Sequence, residues 1–132
     1  MAATIMIVDD NENAVHMTAR MLSGFGFEVM TALDGPNALA QLAERRPDCI
    51  LLDIMMPRMS GLEVLARLQH DPATAAIPVI LLTAKSQDED VLAGYKDGAE
   101  YYLTKPCSSR DLVYAIRLVL GSLRSQAPNP PG

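Results

Sequence analysis

Residues Asp48–Pro57 read DCILLDIMMP. An apolar run, Cys49 to Leu52, ends in a single carboxylate, Asp53, and Pro57 marks a turn shortly after. Four apolar residues bounded by polar ones suit a strand buried on both faces. An acid at the last position of such a strand lies at the carboxyl edge of the sheet, where open α/β sheets take ligands. The same acid serves equally well as a turn or cap residue satisfying main-chain N–H groups. The rest of the chain decides between the two.

Upstream, Thr4-Ile5-Met6-Ile7-Val8 is a second short apolar run, closed by the pair Asp9-Asp10. Asn11 is placed to cap a helix whose Val15, Thr18, Ala19 and Leu22 recur at helical spacing, and Gly24 and Gly26 end it. Phe27 to Ala32 reads as a strand. Asp34-Gly35-Pro36 then opens a helix with inner positions Leu39, Leu42 and Ala43, stopped by Pro47.

Downstream of Pro57, Ser60-Gly61-Leu62-Glu63 is a capping box in front of Leu62, Leu65 and Leu68, and Asp71-Pro72 breaks that helix. Pro78 introduces the strand Val79-Ile80-Leu81-Leu82, which ends in Thr83. Ser86-Gln87-Asp88-Glu89 opens a fourth helix towards Tyr95; Gly94 within it and Gly98 after it make it the weakest by propensity. Its Asp88-Glu89-Asp90 is the acidic first turn that a helix dipole favours. Glu100 to Leu103 is a last short strand, followed by Thr104-Lys105-Pro106. Ser108 caps a fifth helix with the stripe Leu112, Ala115, Ile116, Val119, Leu120 and Leu123.

Five apolar strands alternating with five helices imply an α/β domain: a doubly wound five-stranded parallel sheet covered on both faces, with the order 2-1-3-4-5. The length of 132 residues suits one domain. Residues 1–125 form that domain, and Gln126–Gly132, QAPNPPG, is a Pro-rich tail or the start of a linker.

The chain is 49% apolar and 20% charged, with a formal net charge of −5 and no basic cluster, which argues against direct binding of nucleic acid or anionic membranes. No apolar run approaches the roughly 20 residues that span a bilayer. Met1-Ala2-Ala3-Thr4 has no basic leader pattern, so the expected location is cytoplasmic. Cys49 reads as core and Cys107 as a loop residue, neither with metal-ligand spacing. His16 and His70 stand in helical segments beside polar residues, where a surface role fits.

In the order 2-1-3-4-5, Asp9, Asp10, Asp53, Thr83 and Lys105 all fall at the carboxyl edge of the sheet. Crowded carboxylates raise one another's pKa unless a cation sits among them. Oxygen ligands without His or Cys point to a hard ion, Mg²⁺ first, with Mn²⁺ as a substitute. A carboxylate beside Mg²⁺, an ammonium and a hydroxyl is what attack on a phosphoryl group needs.

From Thr4 to about Arg124 the chain resembles the response-regulator receiver domain of two-component systems, a flavodoxin-like (βα)5 fold whose order is 2-1-3-4-5. The matching residues are Asp9-Asp10, Asp53 with Pro57 and Gly61, Thr83-Ala84 and Lys105-Pro106. The resemblance implies that Asp53 is the phosphoacceptor of a phosphorelay, forming an aspartyl phosphate. Asp10 and Asp53 would hold Mg²⁺ with the Met55 carbonyl, Asp9 acting mostly through metal-bound water. It also implies phosphoryl contacts from Thr83 and Lys105, a cis Lys105-Pro106 bond, and Tyr102 as a switch aromatic that follows the Thr83 hydroxyl. Tyr102 as an ordinary half-buried aromatic stays open. Met55 and Lys85, two residues beyond Asp53 and Thr83, match positions that tune dephosphorylation. Met55, Met56 and Met59 otherwise read as adaptable packing.

The implied partners are a histidine kinase or phosphotransfer protein and an output domain or protein, reached through the face of the fourth helix, fifth strand and fifth helix. The protein would be a monomer or weak dimer. Val91, at a position where receivers that dimerise on this face carry a basic residue, argues against that mode. The chain would catalyse only its own phosphorylation and dephosphorylation. An aspartate-nucleophile phosphatase would carry an Asp-x-Asp pair and a cap domain; here Ile54-Met55 follow Asp53. A flavin carrier would not place two acids at its phosphate loop. A receiver-like interaction module that is never phosphorylated is the remaining alternative, although none of the acceptor, acid pair or lysine is lost.

Overall fold

The computed structural model describes residues 2–84 and 98–124. The helix expected from Ser86 towards Tyr95, with Lys85, Val91 and Gly94, and the Pro-rich segment Gln126–Gly132 lie outside the described residues. Among those described, the elements are β1 (Thr4–Val8), α1 (Glu12–Gly24), β2 (Glu28–Ala32), α2 (Gly35–Leu42), β3 (Cys49–Asp53), α3 (Gly61–His70), β4 (Val79–Ala84), β5 (Tyr101–Lys105) and the C-terminal helix α4 (Ser109–Arg124). All strand pairs are parallel, in the order β2-β1-β3-β4-β5. The α/β reading and the strand order therefore hold.

The side-chain period of two divides each central strand between two cores. Met6, Val8, Ile50 and Leu52 point to one face, where they meet Val64, Leu65 and Leu68 of α3 and Ala38 of α2. Ile5, Ile7, Cys49 and Leu51 point to the other, against Val15 and Leu22 of α1 and Ala115 and Ile116 of α4. Burial of Cys49 pushes its thiol pKa far up, as befits a small core residue.

The helices begin where their caps allow. Asn11 Oδ1 accepts from the Ala14 N–H at 3.0 Å, Asp34 Oδ1 from Asn37 at 2.7 Å, Ser60 Oγ from Glu63 at 3.2 Å and Ser108 Oγ from Asp111 at 3.0 Å. Each such cap contributes about 1 kcal/mol. His16 and His70 are both exposed, His16 3.7 Å from Glu12 and His70 bonding the Ala66 carbonyl through Nδ1 at 2.7 Å.

Three local expectations shift. Helix α2 stops at Leu42, short of Pro47: the Glu44 N–H bonds to the Gln41 carbonyl in a tightened last turn, and Pro47 disfavours the α region at Arg46 as well. Of its stripe, Leu39 and Leu42 are only half-buried and Ala43 is exposed, while Ala38 is buried in the core. Strand β2 starts at Glu28 and β5 at Tyr101, each one residue later than the composition suggested. Finally, β5 is not buried throughout: at the edge of the described sheet, its residues alternate between half-buried and exposed.

Candidate phosphoacceptor and metal site

Register brings the acids together. Val8 pairs with Leu52, so the next residues, Asp9 and Asp53, leave adjacent strands side by side. Asp53 pairs with Leu82, which sets Thr83 one residue beyond it, and Ala84 pairs with Lys105. Carboxylate oxygens of Asp9, Asp10 and Asp53 all lie within 4.8 Å of one another, a donor set able to hold a metal ion. The set is wholly oxygen, which fits a hard divalent cation.

Asp9 and Asp53 are buried and Asp10 is exposed. Asp9 is held from two sides: its Oδ1 accepts from the Asn11 N–H at 3.0 Å, and its Oδ2 accepts from Lys105 Nζ at 2.9 Å. Lys105 Nζ also stands 3.5 Å from Asp53 Oδ2, and the Met55 N–H donates to Asp53 Oδ1 at 3.3 Å. Thr83 is buried in β4. The Lys105-Pro106 bond is cis.

Burial is the main force on Asp53. It raises the carboxyl pKa to about 6, helped by the Asp9 charge and opposed by Lys105 and the Met55 N–H. Burial works to lower the Lys105 ammonium pKa, but the hydrogen bond to Asp9 and the charges of Asp53 and Asp9 outweigh it, leaving a net rise. A cation among these acids would relieve the same repulsion.

The site is closed behind by Gly61. Its N–H donates to the Ile54 carbonyl at 2.9 Å, and a Cβ at position 61 would overlap the Asp53 carbonyl oxygen. Only glycine permits α3 to start that near the acceptor. In front, a groove of about 660 Å³ runs from Asp9 and Lys105 between α1 and the loop after β5, lined among others by Met17, Met21, Cys107 and Leu112.

The methionines divide. Met56 is buried and Met59 packs against the core, whereas Met55 is 57% exposed at the rim. Tyr102 lies on β5, paired in register with Leu81, with 39% of its surface exposed. Two contacts lacked a sequence signal: the Asn11 N–H that orients Asp9, and a positive φ of 67° at Arg58 in the loop after Asp53. No helix among the described residues is long and apolar enough to cross a membrane.

A family model described as the response regulator receiver domain matches residues 5–117. Response regulator PleD of Caulobacter vibrioides is 42% identical over 132 residues, covering 96% of this chain but 29% of PleD. The phosphate regulon regulatory protein PhoB of Pseudomonas aeruginosa is 42% identical over 128 residues, covering 95% of this chain and 56% of PhoB. The chain thus spans only part of both. Protein PilH of the same organism is 38% identical over 118 residues, covering 89% of this chain and 98% of PilH. Among solved structures, a CheY-like receiver domain protein from Methanospirillum hungatei superposes with a TM-score of 0.90 at 27% identity, covering 96% of this chain and all of that one (100%). Chemotaxis protein CheY4 of Vibrio cholerae gives 0.85 at 31% identity, covering 90% and 99%. These relatives are signalling proteins, and this chain belongs to the response regulator receiver domain family.

Proposed function

We propose that the chain is a phosphoacceptor of a two-component system: Asp53 takes a phosphoryl group from a histidine kinase or phosphotransfer protein and thereby controls an output partner. The observation that carries this reading is the convergence of Asp53 with Lys105 Nζ at 3.5 Å and with the carboxylates of Asp9 and Asp10. An Asp53 carboxylate oxygen attacks phosphorus. The N–P bond of the donor phosphohistidine breaks, and its electron pair stays on the imidazole nitrogen. Lys105 balances charge on the moving oxygens, and the Met55 N–H holds the second Asp53 oxygen in place.

The residues that would hold Mg²⁺, or Mn²⁺ in its stead, are Asp9, Asp10 and Asp53 with the Met55 carbonyl, and the ion would supply charge neutralisation for the phosphoryl group. The chain catalyses no reaction beyond its own phosphorylation and dephosphorylation. Met55 and Lys85 set the lifetime of the aspartyl phosphate.

The added charge of about −1.5 to −2 turns the Thr83 hydroxyl towards the phosphoryl group, and Tyr102 follows. The segment after β4, together with β5 and α4, then presents an altered face. The receiver unit extends over residues 1–125 with 126–132 as tail or linker, acts in the cytoplasm, and is a monomer or weak dimer.

The test is incubation with acetyl phosphate and MgCl₂ followed by intact mass, on the parent and Asp53→Ala. Gain of one phosphoryl group by the parent alone is the expected result. No gain in the presence of Mg²⁺ rejects the acceptor reading in favour of an interaction module that works without phosphorylation.

A further inference from the structure

The loop from Ile54 to Ser60 leaves the carboxyl end of β3 and returns to it, closed by the bond from the Gly61 N–H to the Ile54 carbonyl at 2.9 Å. The reversal is made by three residues. The Met59 N–H donates to the Pro57 carbonyl at 2.7 Å, and Arg58 between them has φ 67°. A hydrogen bond spanning two residues around a positive φ is the rarer, strained hand of γ-turn. An arginine adopts it only where its surroundings leave no choice. Here both limbs are pinned: the Pro57 ring locks its φ, Met56 is buried, and Met59 packs against the core beside Gly35. The Arg58 side chain itself is exposed.

We infer that the γ-turn at Arg58 is a positioning element for the acceptor site. By drawing Met56 and Met59 into the core it holds the main chain of Ile54 and Met55 against Asp53. The Met55 N–H, 3.3 Å from Asp53 Oδ1, is the point of transmission. Divalent-cation affinity of the acid cluster then depends on the backbone at position 58 and not on the charge carried there. The inference rests on the reading of Asp9, Asp10 and Asp53 as a cation site.

The experiment is calorimetric titration of MgCl₂ into the parent, Arg58→Gly, Arg58→Ala and Arg58→Pro, with thermal unfolding of each in the absence of metal. Arg58→Pro cannot take a positive φ, so it binds Mg²⁺ about tenfold more weakly while keeping the parent's far-ultraviolet circular dichroism. Arg58→Ala keeps the strained backbone and loses the charge; it follows the parent within about twofold. Arg58→Gly keeps the affinity and unfolds a few degrees above Arg58→Ala.

Parent affinity in Arg58→Pro overturns the inference, as does a loss in Arg58→Ala as large as in Arg58→Pro. Should Arg58→Pro fail to fold, the other two decide: Arg58→Gly unfolding no higher than Arg58→Ala removes the strain and the inference with it. A parent that binds no Mg²⁺ overturns the cation site and this inference together, whereas a binding parent matched by Arg58→Pro overturns this inference alone.

Discussion

Strands β3 and β5 lie two places apart in one sheet, yet solvent reaches none of Leu51 on the first and 39% of Tyr102 on the second. Strand β3 is bonded on both sides and covered on both faces, and every residue from Cys49 to Asp53 is buried. Among the described residues, strand β5 pairs with β4 alone, and its exposed positions alternate with half-buried ones. The acceptor acid sits at the end of a strand buried along its whole length. The aromatic proposed to report on it sits on a strand at the edge of the described sheet. Low local stability is where conformational change is cheapest. Chemistry and output are thus assigned to opposite ends of one stability gradient.

The sharpest way to break this comparison is to weaken the centre. Leu51→Ala empties a fully buried position between α1 and α4, and is expected to cost about 2–5 kcal/mol in a urea titration. Leu118, 42% exposed on α4, is the matched control: Leu118→Ala should stay within about 0.5 kcal/mol of the parent. Equal losses at the two positions would erase the gradient.

The next effect is electrostatic. The folded protein holds the Asp53 proton with a pKa of about 6, above the ordinary 3.8. Between those values the folded state binds more protons than the unfolded chain, so this group's contribution to stability falls as pH rises. Asp53→Asn removes the penalty. Its stability relative to the parent should be near zero below about pH 4 and grow through about pH 6. It should level off at up to about 3 kcal/mol. Mg²⁺ should shrink the difference. Urea titrations of both proteins across that range provide the check, and a gap independent of pH would mean that Asp53 is ionised without strain.

At the rim between the two regions stands Met55, 57% exposed two residues past the acceptor. In the proposed function its apolar side chain would shield the line along which water reaches an aspartyl phosphate. Met55→Asn should hydrolyse several-fold faster, a change of about 1 kcal/mol in barrier, followed as loss of the phosphorylated mass after donor removal. An unchanged or longer lifetime would place control of hydrolysis elsewhere.

Much of this architecture was legible before any coordinates, for identifiable reasons. Cys49–Leu52 and Ile5–Val8 are unbroken apolar runs, and such runs have one comfortable place, the middle of a parallel sheet. Asn11, Asp34, Ser60 and Ser108 each announce a helix start because few residues satisfy an orphan N–H so well. Once the strand order is known, Asp9, Asp53 and Lys105 must meet at one edge. What sequence could not show was depth and backbone sign. Asp9 and Asp10 are chemically the same, yet only Asp9 is buried against Lys105, since successive residues leave a strand in opposite directions. Tyr101, Tyr102 and Leu103 look as apolar as a central strand, and only their position at the edge of the described sheet leaves Tyr102 in solvent. The positive φ of Arg58 falls between a buried Met56 and a half-buried Met59, a tertiary setting with no local signature.

A small expected change in stability belongs to the residue proposed to carry the signal away from the acceptor, and that contrast makes it informative. Tyr102→Ala removes a ring that is 39% exposed on β5, so unfolding should shift by no more than about 0.5 kcal/mol. Phosphoryl uptake from acetyl phosphate should also match the parent, because the bonds that orient Asp9 and Asp53 come from Asn11, Met55 and Lys105. What should disappear is the response of β5 and α4. In the parent, phosphorylation is expected to change amide hydrogen exchange in both elements; in Tyr102→Ala that change is lost although Asp53 is modified to the same extent. Exchange in β5 and α4 that still responds would show that the central site reaches the edge through another residue. It would return Tyr102 to the role of an ordinary half-buried aromatic. A loss of uptake in the same variant would say something different, that the edge strand holds the acceptor site together and that centre and edge are not separable.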